Sequence, residues 1–196
     1  MILFEVIAIA LIVSLLTGGS IECLKRQTLR GETLLAVLLP LQMLWPLISS
    51  ALKMRCGLSV AVWLSMMVIL VVVLFFNAPG RWVLVLAGVG ILMNVLVIGA
   101  NGAMPVSLPG VSELGVPRSE AIAALHNECL HEAMDESTAL TMFADRVVVP
   151  GPVWHRSLVS IGDVFLALGL GGWIFSGSRR VREVGTAVDS TRNRPR

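Results

Sequence analysis

Residues 58–100 read LSVAVWLSMMVILVVVLFFNAPGRWVLVLAGVGILMNVLVIGA, two apolar runs at 58–76 and 82–100 parted by a short break whose one charge is Arg81. At 1.5 Å per residue each run is long enough to cross the ~30 Å of a bilayer's hydrocarbon. The break carries Pro79-Gly80, a turn signal. The pair is two membrane spans joined by a tight turn. Working outward, comparable runs lie at about 1–17, 33–52 and 158–176, which makes five spans. The run at 33–52 contains Pro40 and Pro46, whose freed carbonyls need partners inside the protein, so a kink there faces neighbouring helices and Gln42 is placed to help satisfy it.

Composition agrees with that reading. The 196 residues are 56% hydrophobic and 14% charged, with a mean hydropathy of +0.84, against about 25% charged in an ordinary soluble domain. A soluble globular protein is excluded. The expected fold is all-α: one polytopic helix bundle over 1–178, with an external loop and helix at 101–157 and a basic, disordered tail at 179–196. Met1 to Thr17 lacks a basic n-region and carries Glu5, so it reads as a span and not as a cleaved leader. Glu22 before Cys23 stands where lipoproteins have a small residue. The net charge of +2 gives no support for nucleic-acid binding, and Cys23, Cys56 and Cys129 lack the spacing of a zinc or redox pair and read as small packing residues.

Charge orients the bundle. Lys25, Arg26, Arg30, Arg81 and the six arginines after Ser178 fall on one side, ten in all, against Lys53, Arg55, Arg118, Arg146 and Arg156 on the other. By the positive-inside rule the N-terminus is outside and the C-terminus cytoplasmic. Lys53 and Arg55 form the one local exception. No internal repeat is present, which disfavours an inverted-repeat transporter.

The external segment 101–157 holds all three histidines and seven acids against three arginines. After turn residues at Asn101-Gly102, Pro109-Gly110 and Pro117, an amphipathic helix is expected from Ser119 to about Ala144, lying on the membrane surface. On such a helix Glu128, His131 and Asp135 would stack along one side. With no His-Glu-x-x-His pattern, a solvated acidic face is the expectation and no metal site is assigned. No cofactor is expected.

Polar groups within spans are costly, about 2.5 to 3.5 kcal/mol for a mid-span carboxylate, and therefore informative. Asn94 and Asn101 share a helix face, with Asn94 roughly 10 Å below the outer end of its span, and Asp163 lies at a matching depth, roughly 8 Å into the last one. Gly88, Gly90, Gly99, Gly162, Gly169, Gly171 and Gly172 let these two helices approach closely. Asn94 and Asp163 serve either as mutually bonded interhelical glue or as part of a site. Asp145, followed by Arg146, ends the expected surface helix. Brought together, Asp145 and Asp163 would form a dyad sharing one proton, able to act as acid and base; alternatively an arginine neutralises Asp145.

The segments Asn94 to Val106 (NVLVIGANGAMPV) and His131 to Gly169, with Ala144-Asp145-Arg146 and Ser160-Ile161-Gly162-Asp163, resemble a family of small bacterial membrane proteins carrying a domain of unknown function, familiar in actinobacteria and clostridia. The resemblance covers essentially the whole chain and implies a five-span, multi-pass protein of the bacterial plasma membrane, without implying an activity. A weaker similarity is to lipoprotein signal peptidase, an aspartic protease with four spans. Asn101-Gly102-Ala103, Asp145-Arg146 and Ser160 to Asp163 loosely match its motifs, which would make Asp145 and Asp163 the catalytic pair. The chain departs from that enzyme at Ser160, where an asparagine is expected, and in having no crossing between Asn101 and Asp145.

The polar cluster Asn94, Asn101, Asp145, Ser160 and Asp163 is thus the expected functional centre. Three classes of function remain: a binding or assembly partner for another membrane protein of the cell envelope, an intramembrane aspartic hydrolase, and a small-solute carrier. The lipid bilayer is a partner in all three. Apolar spans below Asn94 and Asp163 count against a through-pathway for a carrier.

Overall fold

In the computed structural model, which describes residues 2–150 and 156–179, the chain is 66% helix with eight helices among the described residues. Three are long and apolar enough to cross a membrane: α3 (Glu32–Ala51), α4 (Cys56–Asn77) and α5 (Trp82–Asn101). Two shorter apolar helices, α1 (Ile2–Leu16) and α8 (Ile161–Gly177), complete the bundle. A one-turn helix, α2 (Ile21–Lys25), links α1 towards α3. The tail reading falls on residues 180–196, outside the described residues.

The tightest contact in the bundle joins α5 to α8, and small residues create it. A Cβ at Gly169 would lie 2.7 Å from Ala87 Cα, and one at Gly162 would lie 2.6 Å from the Gly90 carbonyl oxygen. Only glycine lets the two backbones come so near, and dispersion contacts along the crossing replace what side chains would otherwise supply. α4 packs on the other side of α5 through Met67, Leu70 and Leu74, part of the buried core with Leu84 and Ile91. α1 lies against α8, and at its end Ser14 hydrogen-bonds Ser178 side chain to side chain.

α3 is held least. Only 17% of its apolar window is buried, against 44% for α4 and 50% for α5. It carries both Pro40 and Pro46, which remove backbone donors mid-helix. Its main anchor is Trp45, whose indole Nε1 donates to the carbonyl and hydroxyl oxygens of Ser59 on α4, at 3.0 and 3.1 Å.

Residues 102–150 and 156–160 cover one end of the bundle, with short helices α6 (Leu108–Glu113) and α7 (Arg118–His126). They also form two two-stranded ribbons, so the fold is mostly helical and not purely so. β1 (Met104–Val106) pairs in parallel with β2 (His131–Ala133), and β3 (Val147–Val149) pairs antiparallel with β4 (Ser157–Val159).

The surface helix expected over 119–144 is corrected: it ends at His126. Three local interactions outcompete its continuation. Cys129 forms a disulfide with Cys56 at the start of α4, which also corrects the reading of those two cysteines as packing residues. The backbone at 131–133 is taken by β1. The Asp135 carboxylate accepts from the Ser137 amide and hydroxyl at 2.8 and 2.7 Å, an Asx turn of the kind that competes with helix. The single helical face that would have stacked Glu128, His131 and Asp135 therefore does not exist.

Candidate functional site

α8 starts at Ile161, three residues later than the apolar run, because Ser160 caps it. The Ser160 hydroxyl accepts from the Asp163 amide at 2.9 Å, while Asp163 Oδ2 accepts from the Ser160 amide at 3.1 Å. This reciprocal capping box satisfies two helix-end donors at once and sets a negative charge where the helix dipole favours it. Asp163 thus sits in the first turn of α8.

The cap is locked to α5. Asn94 Nδ2 donates to Asp163 Oδ1 at 2.8 Å, and the Ser160 hydroxyl donates to Asn94 Oδ1 at 2.9 Å. Asn94 and Ser160 are buried, and the glycine at 162 makes the room that the Asn94 side chain fills. Three of the expected residues therefore form one closed network.

Asp145 is positioned by its backbone bonds to β1 and the residue after it. Its amide donates to the Pro105 carbonyl and its carbonyl accepts from the Ser107 amide, both at 2.9 Å, which places it alongside β1. The next residue, Arg146, donates from its amide to the Val159 carbonyl at 3.3 Å, so Asp145 lies beside the residues that cap α8. The Asp145 side chain is buried and its Oδ1 has no hydrogen-bond partner among the described residues. Burial, reinforced by the charge of Asp163 and opposed by His131, pushes its carboxyl up to about 7. Among the described residues its one ion-pair neighbour is His131, with Nε2 4.0 Å from Oδ2.

His131 was not singled out for this role by its sequence position. It sits at the start of β2 opposite Met104, and its Nδ1 lies 2.8 Å from Glu128 Oε1. Burial works to lower its pKa. The Glu128 hydrogen bond, with the charges of Glu128, Asp145 and Asp163, outweighs that and holds it above the ordinary value. The hydrogen bond from His131 in turn holds the Glu128 carboxyl low. Glu128 is exposed and lines a pocket of about 280 Å³ between the 127–130 segment and the end of α3. Glu128, His131 and Asp145 therefore form a file of titratable groups running from the surface to a buried carboxyl.

Asn101 stands apart from the cluster. Its Nδ2 donates to the Val97 and Ala139 carbonyls at 2.7 and 3.0 Å, and its Oδ1 accepts from the Ala139 amide at 2.8 Å. It clamps the turn after Asp135 onto the end of α5. No group of three or more His, Cys, Asp or Glu residues fit to hold a metal ion is present among the described residues.

The chain matches the family of unknown function DUF5317 over residues 26–175 and belongs to it. That stretch includes α3, α4, α5, the whole covering segment and nearly all of α8, and so every residue of the site. No curated protein and no solved structure matches the chain.

Proposed function

We propose that this is a five-span protein of the bacterial plasma membrane whose Asp145 and Asp163 form an acid–base pair for hydrolysis at the membrane's outer face. On this reading α1 and α8 cross with α3, α4 and α5, the N-terminus is outside, and residues 179–196 are a cytoplasmic tail. The disulfide between Cys56 and Cys129 at the covering end suits an oxidising exterior.

The observation that carries the reading is the buried Asp145, raised to about 7 by burial and by the charge of Asp163. A buried carboxyl raised to that range can both give and take a proton near neutral pH, which is what acid–base chemistry in hydrolysis requires. In the reaction proposed, the ionised carboxylate takes a proton from water, the resulting hydroxide adds to a substrate carbonyl, and the protonated carboxyl gives its proton to the carbonyl oxygen. As the tetrahedral adduct collapses, the carboxyl that took the water proton passes it to the leaving group, and a hydroxyl proton of the adduct returns to the other carboxylate. The site is similar in plan to that of lipoprotein signal peptidase, with His131 added beside Asp145.

Two measurements test it. Difference infrared spectra of the protein in nanodiscs are expected to show a protonated carboxyl band that titrates near pH 7 and is lost in Asp145→Asn. Peptide-terminus profiling of envelope proteins should lose the same set of new termini in Asp145→Asn and in Asp163→Asn. Unchanged termini in both folded variants would sink the hydrolase reading.

A binding or assembly role is the second reading, favoured by the closure of the Asn94–Ser160–Asp163 network, in which both carboxylate oxygens of Asp163 are already bonded within the fold. An envelope membrane-protein partner that still co-purifies with both aspartate variants would decide for it.

A further inference from the structure

Two neighbouring cavities share one wall residue towards the opposite end of the bundle. An open pocket of about 520 Å³ is formed by the turn before α3 and the turn between α4 and α5, with Arg30 and Arg81 in its wall. An apolar cavity of about 190 Å³ lies between α3, α4, α5 and α8, its wall apolar except for Gln42 and Trp173. Leu29 lines both.

The polar pocket is built and not incidental. Asn77, at the end of α4, accepts from the Arg30 amide at 2.7 Å and donates to the Arg30 and Val73 carbonyls at 2.9 and 2.8 Å. Arg81 Nη1 donates to the Thr28 carbonyl at 3.3 Å, tying the two turns together. Neither guanidinium has a carboxylate within ion-pair distance among the described residues. α3 and α5 both begin here, at Glu32 and Trp82, without a side-chain cap, and the Glu32 carboxylate stands in the first turn of α3. The apolar cavity exists because α3 leans on α4 and leaves its Leu35, Leu39 and Gln42 side facing α5 and α8 across a gap. Trp173, one turn from the end of α8, has its indole Nε1 buried without a hydrogen-bond partner among the described residues.

We infer that this end of the bundle holds one anionic membrane phospholipid, its phosphate against Arg30 and Arg81 and an acyl chain running past Leu29 into the cavity beneath α3. A free phosphate would use the basic pocket alone, and a neutral hydrocarbon the cavity alone. Only an amphiphile with an anionic head uses both, and the ester carbonyl that joins head to chain supplies an acceptor for the Trp173 N–H. Arginine forks suit phosphate oxygens, and the head lies in the interface where such charges are favoured. The inference rests on the bundle crossing a membrane and is independent of the proposed chemistry at Asp145 and Asp163.

Native mass spectrometry of the full chain, released from mixed micelles, reads bound lipid directly. With phosphatidylglycerol and phosphatidylcholine of identical chains supplied equally, one phosphatidylglycerol is expected to be retained at least tenfold over phosphatidylcholine. The paired change Arg30→Gln with Arg81→Gln is expected to remove that preference. Leu39→Trp, which narrows the cavity from its half-exposed edge, should lower retention of the lipid without changing inorganic phosphate binding. Arg81→Gln alone serves if the paired variant does not fold. Equal retention of both lipids, or a preference unchanged by loss of the arginines, overturns the inference. So does full displacement of the lipid by inorganic phosphate with no effect of Leu39→Trp, which would leave a free-phosphate pocket. Carbonate extraction reads the membrane placement separately: a chain released by carbonate removes that placement, whereas a retained chain without lipid preference removes only this inference.

Discussion

Asn94 on α5 donates to Asp163 on α8 at 2.8 Å, and this one bond couples the capping of a helix to the tightest helix crossing in the protein. Its loss leaves a carboxylate oxygen short of its donor next to a buried gap. Asn94→Leu is therefore expected to destabilise the fold by about 1.5–3 kcal/mol, the range for a hydrogen bond to a charged group. Asn94→Asp, which faces one carboxylate with another, should cost more at neutral pH than at pH 4. Unfolding in detergent micelles followed by circular dichroism measures both.

The crossing itself gives a sharper contrast. Gly169→Ala places a methyl group 2.7 Å from Ala87 Cα, where backbone and not a flexible side chain must yield. A loss of about 1–3 kcal/mol or more is expected from such overpacking. Gly99→Ala, on the same helix as Ala87 but with nothing within 4 Å of its added carbon, should leave stability unchanged or raise it by up to about 1 kcal/mol, because alanine favours helix over glycine. Comparable effects in the two variants, read from the same micellar unfolding curves, would mean that close approach does not explain the glycine at 169, since helix propensity alone favours alanine at both positions.

The Cys56–Cys129 disulfide ties the segment carrying Glu128 and His131 to the start of α4, across 73 residues of sequence. Cys56→Ser with Cys129→Ser is expected to cost about 2–4 kcal/mol. It should also speed amide hydrogen exchange at residues 127–133 more than in α5. Thiol labelling of the unreduced protein should modify Cys23 alone, since it is the one free cysteine among the described residues. Labelling of all three without reductant would contradict the pairing.

How much of this was legible in the sequence follows from which forces are local. The runs at 58–76 and 82–100 become α4 and α5 because apolar composition over twenty residues decides a buried helix without reference to anything distant. The glycines at 90, 162 and 169 marked the α5–α8 crossing for the same reason: a missing side chain is visible in the chain itself. Asn94 and Asp163 were matched by depth and do meet, although Ser160 starts α8 later than hydropathy alone placed it. The segment 119–144 misled because its apolar spacing suits a helix, while a disulfide to residue 56 and a strand partner at 104–106 lie far away in sequence. His131 could not be placed beside Asp145 without knowing that β1 sits between their backbones.

The pH response of Asp145 carries the site's chemistry into a stability measurement. Its folded carboxyl is raised to about 7 from an ordinary 3.8, so between those values the folded state keeps a proton that the unfolded chain has released. Stability therefore falls as pH climbs through that window, by about 4 kcal/mol at most, and the loss is complete above it. His131, also raised, contributes in the same direction: its stabilising charge is present at low pH and lost as pH rises through its folded value. Asp145→Asn removes the larger effect. The variant should melt higher than the parent at pH 8, match it closely near pH 3.5, and show a flatter profile between. His131→Gln should do the reverse to Asp145, withdrawing the positive charge that opposes burial and moving the carboxyl's infrared titration above 7. A parent profile that is flat from pH 4 to 8, or a titration that stays put in His131→Gln, would show that Asp145 and His131 do not share the environment described.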